Sequence, residues 1–285
     1  MIVDGREIAR EIFSDLKIRV EKLKEKGIIP HLHIITLTID EASEAYVGQK
    51  GKKGGEIGAR INVENLSPNI KTEELLRKIE RLNNDQEVQG IIIQRPIPEH
   101  IDEGLIANSI NPKKDVDGFH PQSKFSPPIA QAVLKILEKI YASTPGVDVQ
   151  KPQGFSNWLK NKKIAVVGRG VTAGGPIISA LKKLGIEPEV ITSKTDDRKE
   201  IMKNSDIVIT AVGKPNIVKA ENLKNGVILI GTGMYRGEDG KFHGDYDENE
   251  IKSIASFYTP TPGGVGPINV AMLLSNLIRS TENKI

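Results

Sequence analysis

Apolar and polar residues follow two rhythms along this chain. Nearly all-apolar runs at residues 31–39, 60–63 and 90–94 are separated by stretches with helical spacing, which predicts strands of a parallel sheet buried on both faces, joined by helices. A charged amphipathic helix is predicted over about residues 5–26. Residues 111–128 carry Pro, Lys, Asp and Gly too irregularly for an element and read as a functional loop, followed by a crossover helix over 129–141. The Pro/Gly-rich stretch 144–155 reads as an exposed connection. Alternation then resumes, with strands predicted at 163–168, 189–193, 206–212 and 227–231 and helices between them. That is the doubly wound nucleotide-binding pattern. The last helix, predicted over 267–280, starts with Pro267 in its first turn and is apolar on one face, so it can return to pack on the first domain.

The expected architecture is therefore α/β throughout: an N-terminal three-layer α/β domain over residues 1–125 plus the C-terminal helix 267–285, and a Rossmann-like doubly wound domain over 126–266, with a cleft between them. A length of 285 residues suits two cores better than one.

Composition narrows the function. Lys plus Arg (40) against Asp plus Glu (37) gives a net charge of +3 with both signs spread evenly, which argues against nucleic-acid or membrane partners. The chain has no cysteine, removing disulfides, thiolate nucleophiles and Cys-ligated metals together. No apolar run approaches the roughly 18 residues needed to span a bilayer, and no signal peptide is visible, so a cytoplasmic location is expected.

The strongest nucleotide signal is the apolar run 164–167, then Gly168-Arg169-Gly170, with Gly174-Gly175-Pro176 opening a helix predicted over 177–184. Glycines at 168 and 170 let the backbone turn tightly toward a pyrophosphate, whose charge suits a helix N-terminus. The next strand ends at Thr192-Ser193-Lys194-Thr195, without the carboxylate that usually grips the ribose hydroxyls of NAD. Hydroxyls and a Lys there, with Arg169, favour the 2′-phosphate of NADP, with NAD the alternative.

Chemistry gathers at three places. Tyr46 and Lys50, four residues apart, share one helix face behind a possible cap at Asp40-Glu41-Ala42-Ser43. Gln94 ends an apolar strand and is followed by Arg95-Pro96-Ile97-Pro98, which cannot continue a central ladder. Strand carboxyl ends are where ligands bind in open α/β sheets. The loop Lys113-Lys114-Asp115-Val116-Asp117-Gly118-Phe119-His120 carries two alternating carboxylates, without the spacing of a metal site.

Tyr46-x-x-x-Lys50, Gly90-Ile91-Ile92-Ile93-Gln94 with its Pro-Ile-Pro tail, Asp115–His120, the Gly168–Pro176 loop, Ala211-Val212-Gly213-Lys214-Pro215 and Pro262-Gly263-Gly264-Val265-Gly266-Pro267 occur in this order. Together they resemble the bifunctional methylenetetrahydrofolate dehydrogenase/cyclohydrolase family over nearly the whole chain. The resemblance implies NADP-dependent oxidation of 5,10-methylenetetrahydrofolate, then hydrolysis of the methenyl product to 10-formyltetrahydrofolate, by a homodimer. It implies that Lys50 is the catalytic lysine, Gln94 its hydrogen-bonding partner, and Asp117 the holder of the pterin amino group and ring nitrogen. Tyr46 would stack on the aminobenzoate ring, and Pro262, Gly263, Gly264, Val265 and Gly266 would line the substrate side. Gly168, Arg169, Gly170, Ser193, Gly213 and Met234 would take the NADP.

Some positions depart from the family. Gly170 stands for a usual Ser, Arg95 for a usual Leu, and Gly231 for a usual Asp, while residues 123–132 lack the usual Asn-x-Gly-x-Leu and Cys-Thr-Pro-x-Gly signatures. Two other readings stay open: a relative that keeps only the cyclohydrolase or uses NAD, and a non-catalytic folate- or nucleotide-binding sensor.

Overall fold

A computed structural model describes residues 1–37, 41–151 and 153–284, leaving aside the side chains of Glu41 and Ala42. The possible cap at residues 40–42 lies outside the described residues. The chain runs α1 (Gly5–Lys24), β1 (His31–Thr36), α2 (Glu41–Glu56), β2 (Arg60–Asn65), α3 (Thr72–Asn84), β3 (Gly90–Gln94), α4 (Glu103–Ser109) and α5 (Pro128–Ala142). It continues with α6 (Gly154–Lys160), β4 (Ile164–Val167), α7 (Gly174–Lys183), β5 (Glu189–Ile191), α8 (Arg198–Asn204), β6 (Ile207–Thr210), β7 (Ile228–Gly231), β8 (Met234–Arg236), β9 (Phe242–Gly244), α9 (Glu248–Ile251), β10 (Phe257–Tyr258) and α10 (Val265–Glu282).

Two compact units result: Ala9–Pro128 with Val270–Ile285, and Met1–Ile8 with Ile129–Asn269. The first holds a parallel sheet in the order β2-β1-β3. Its pleat sends Ile92 to a core formed with Leu16 and Val20 of α1 and Leu273 and Leu277 of α10. Ile91 and Ile93 point the other way, among Leu75 and Ile79 of α3 and Ile106 of α4. Both faces are covered, which is why the strand reads as a continuous apolar run rather than an alternation. The register aligns Asn65, Thr36 and Gln94 across the carboxyl row of the sheet.

Helix α2 contains four glycines, poor helix formers, so packing must hold it. Gly54 shows how close that packing is, since a Cβ there would lie 2.4 Å from the Ile61 side chain.

The second unit holds a five-stranded parallel sheet in the order β10-β7-β6-β4-β5, the doubly wound arrangement, and a separate β8-β9 hairpin. Sheet order reverses between β4 and β6, which places the turns after Val167 and Thr210 side by side at the switch point.

The structure differs from the sequence expectations at several points, among them the edge strand β10, whose two residues are too short a run to predict one. The first eight residues, expected with the N-terminal domain, group with the five-stranded unit: Ile2 bridges Tyr258, and the Val3 N–H donates to the Tyr258 carbonyl at 2.8 Å. The expected connection 144–155 ends in α6, anchored where Phe155 and Trp158 pack on Tyr141 at ring-centroid distances of 5.9 and 5.7 Å. The hairpin β8-β9 was not foreseen, because its strands are three residues each and carry no apolar rhythm.

Candidate active site

Lys50 sits on α2 with only 7% of its surface exposed. Its Nζ donates to Gln94 Oε1 at 2.8 Å. The other end of that amide is occupied, since Gln94 Nε2 donates to the Arg95 carbonyl at 2.9 Å, and so the oxygen faces the amine. Ser43, near the start of α2, donates its hydroxyl to the same carbonyl at 3.2 Å, tying helix to strand end. Burial pulls the Lys50 ammonium below the ordinary lysine range, and the Asp117 carboxylate opposes this only in part. A buried lysine without an adjacent ion pair is uncommon, and this one is held by a neutral amide. The arrangement favours an amine that gives up and takes back a proton. Tyr46, one turn earlier on the same helix, is half-buried, and burial raises its phenol above the usual range.

The two carboxylates of the 113–120 loop divide their tasks. Asp115 is 1% exposed and accepts the N–H groups of Gly118 (3.1 Å) and His120 (2.8 Å), so it pins the turn. Burial raises its carboxyl, although those donors hold it back. Gly118 at φ 75° completes the bend, and a Cβ there would strike the Phe125 carbonyl at 2.7 Å. Asp117 instead lines a pocket behind β3 with Ile93, Arg95, Ile97, Ile106 and Phe119.

Two anchors of this loop were missed in the sequence. Asn276 of α10, fully buried, donates Nδ2 to the Val116 carbonyl at 2.9 Å and to the Ser126 carbonyl at 3.1 Å. Ser280, one turn on, donates to the carbonyls of Gln89 and Lys113, both at 2.8 Å. Nothing local marks these polar residues on an otherwise apolar helix face as loop anchors. The departing segment 123–132 folds onto the same loop: Ser123 donates its hydroxyl to the Asp115 carbonyl at 3.0 Å, and Phe125 is buried.

In the five-stranded unit the glycine turn lies at the switch point. Gly168 has φ 97°, and a Cβ there would meet the Ala211 carbonyl at 2.5 Å. Gly174 opens α7 so close to Gly168 that a Cβ would lie 2.2 Å from its carbonyl oxygen. Gly170 faces open space, whereas Arg169 and Ser193 are exposed at the ends of β4 and β5. An exposed Arg, a hydroxyl and a glycine turn ahead of a ten-residue helix fit a phosphorylated dinucleotide.

Gly213 (φ 71°) and Met234 are neighbours, with a Cβ at Gly213 only 3.0 Å from the Met234 carbonyl. Their loop hangs on a residue the sequence did not flag: fully buried Asp245 accepts the N–H groups of Val212 (3.2 Å), Gly213 (2.7 Å) and Lys214 (3.0 Å). Gly231 is also explained, because the Tyr246 ring occupies its side-chain space, 3.0 Å from where a Cβ would sit. The Tyr246 hydroxyl donates to the Thr259 carbonyl at 2.6 Å, and the Thr259 hydroxyl accepts the Gly231 N–H at 2.8 Å. In the Pro262–Gly266 turn, Gly263 has φ 120° with Arg6 packed where a side chain would be, Gly264 and Val265 are buried, and the Arg6 guanidinium donates to the Pro262 carbonyl at 3.2 Å.

Two family models together match most of the chain. Residues 3–117 match the catalytic domain of tetrahydrofolate dehydrogenase/cyclohydrolase, and residues 151–285 match its NAD(P)-binding domain. The chain is 34% identical to the bifunctional protein FolD of Lactococcus lactis over 290 residues, covering 99% of this chain and 98% of that protein. The FolD crystal structure from Campylobacter jejuni superposes with a TM-score of 0.89 at 35% identity, covering 100% of this chain and 99% of the other. The Trypanosoma brucei enzyme, complexed with NADP cofactor and inhibitor, gives 0.88 at 30% identity, covering 100% and 98%. The chain belongs to the tetrahydrofolate dehydrogenase/cyclohydrolase family.

Proposed function

We propose that this chain oxidises 5,10-methylenetetrahydrofolate with NADP and hydrolyses the resulting methenyl cation to 10-formyltetrahydrofolate. The observation that carries this is the buried Lys50 amine held 2.8 Å from an oriented Gln94 oxygen, with its charged form disfavoured. Bound at the Gly168 turn, NADP supplies the hydride acceptor. The protein's own part is position and proton handling. Arg169 and Ser193 hold the 2′-phosphate, while Gly168, Gly170, Gly213 and Met234 allow close approach of the dinucleotide. Asp117 accepts the donors of the pterin edge and Tyr46 stacks on the aminobenzoate ring, while Pro262, Gly263, Gly264, Val265 and Gly266 are assigned to substrate binding on the family resemblance alone. Lys50 in its neutral form takes a proton from the water that adds to the methenyl carbon and returns it as the ring opens. Gln94 keeps the amine aimed by accepting one of its hydrogens. Such assistance is typically worth about 10²–10⁴-fold.

On the family resemblance we also assign the chain to the cytoplasm as a homodimer serving one-carbon metabolism, including purine biosynthesis; sedimentation velocity tests the dimer. Among the described residues no helix is long and apolar enough to cross a membrane.

An absorbance assay with methylenetetrahydrofolate tests the activities together. Methenyl absorbance should rise with NADP, more slowly with NAD, and then decay enzymatically. Decay without a rise would identify a cyclohydrolase alone, and neither would identify a binding protein.

A further inference from the structure

Arg95 occupies the site in a way that the catalytic reading leaves unused. Its side chain is 12% exposed, its guanidinium carbon lies 3.7 Å from the centroid of the Phe119 ring, and its Nε donates to Glu103 at 3.3 Å. One face is thus stacked and one edge is paired, which fixes the plane of the group. Its Nη donors have no partner among the described residues, and the residue lines the same pocket as Asp117. A stacked cation with free donors, lining the same small hollow as a carboxylate, is complementary to a ligand edge that places an acceptor next to donors.

The pyrimidinone edge of a pterin has that pattern: the 2-amino group and N3–H donate, and the 4-oxo group accepts. We propose that Arg95 is a specificity-determining residue whose Nη donors read the 4-oxo group while Asp117 accepts the neighbouring donors, so that this chain selects 4-oxo over 4-amino pterins. The inference rests on the folate reading of the pocket. A 4-amino group would turn a donor toward the guanidinium and leave both unpaired, the kind of mismatch that discriminates most strongly between ligands.

The test measures dissociation constants of folic acid and its 4-amino-4-deoxy analogue by calorimetry on the full-length wild type, Arg95→Met and Arg95→Lys. Arg95→Met keeps the aliphatic contact with Phe119, and the main-chain carbonyl that orients Gln94 survives any substitution. A lost charged hydrogen bond predicts that the wild type prefers folic acid by at least about tenfold. The preference should fall at least about threefold in Arg95→Met, the remainder reporting the N3–H that Asp117 accepts and the 4-amino analogue lacks, and be largely kept in Arg95→Lys, a pattern that a merely structural role would not produce. An unchanged preference in Arg95→Met, or none in the wild type, overturns the inference while leaving the folate site standing. Failure of the wild type to bind either ligand overturns both.

Discussion

Replacing Asn276 by Leu should weaken both the fold and the grip on substrate, although the residue lies on the C-terminal helix. Its amide donates to the buried Val116 carbonyl and to the Ser126 carbonyl. Leu keeps the branched outline of Asn but carries no donor, so both carbonyls lose this hydrogen bond. An orphaned buried acceptor costs about 1–3 kcal/mol, which is the loss expected from the Val116 carbonyl, whereas Ser126 is exposed and adds little. Because Val116 lies between Asp115 and Asp117, a loosened turn would also misplace the Asp117 carboxylate. Urea denaturation followed by circular dichroism measures the first effect, and the KM for methylenetetrahydrofolate the second, which should rise by about tenfold, the equivalent of 1.4 kcal/mol. A stability loss below about 0.5 kcal/mol, the range of an ordinary surface substitution, would refute the anchoring argument. So would a full stability loss with an unchanged KM, since the loop would then not transmit the damage.

Other substitutions test other parts of the account. Gly168→Ala puts a Cβ 2.5 Å from the Ala211 carbonyl at a φ of 97°, so dinucleotide affinity should drop at least about tenfold in a fluorescence titration with NADPH, and unchanged affinity would show that the turn yields. Asp245→Ala strips the acceptor from three backbone N–H groups and should lower both stability and dinucleotide binding, with the loss read by denaturation with and without NADP. Lys50→Met should change how stability depends on pH. The folded-state pKa of Lys50 is depressed, so in the window between it and the ordinary lysine value near 10.5 the unfolded chain holds a proton that the native chain lacks, and stability rises with pH there. Denaturation midpoints of the Met variant should lose that rise, and a retained rise would assign it to another group.

Much of the fold was legible because its signals are local. The Ile run 90–94 is buried on both faces by helices, and a strand so covered has to be apolar at every position. The Gly168 turn was legible because strand, glycines and helix follow one another directly in the chain. Lys50 and Gln94 were each visible as motif residues, but their 2.8 Å contact depends on how α2 crosses the end of β3. What escaped was long-range and polar. Asn276 meets a carbonyl 160 residues away, and Asp245 meets amides about 32 residues away, so neither has a neighbour that betrays its task. The Gly231 departure looked like a loss until the structure placed the Tyr246 ring in its side-chain space. No pattern within either segment links the two positions.

The pH dependence of methenyltetrahydrofolate hydrolysis, compared between wild type and Lys50→Met at saturating substrate, addresses the proton-carrying amine most directly. The wild-type rate should climb through an ionisation lying below the usual lysine range, and the Met variant should lose about 10²-fold or more together with that ionisation. A Met variant that hydrolyses the methenyl cation at the wild-type rate with the same pH profile would contradict the account.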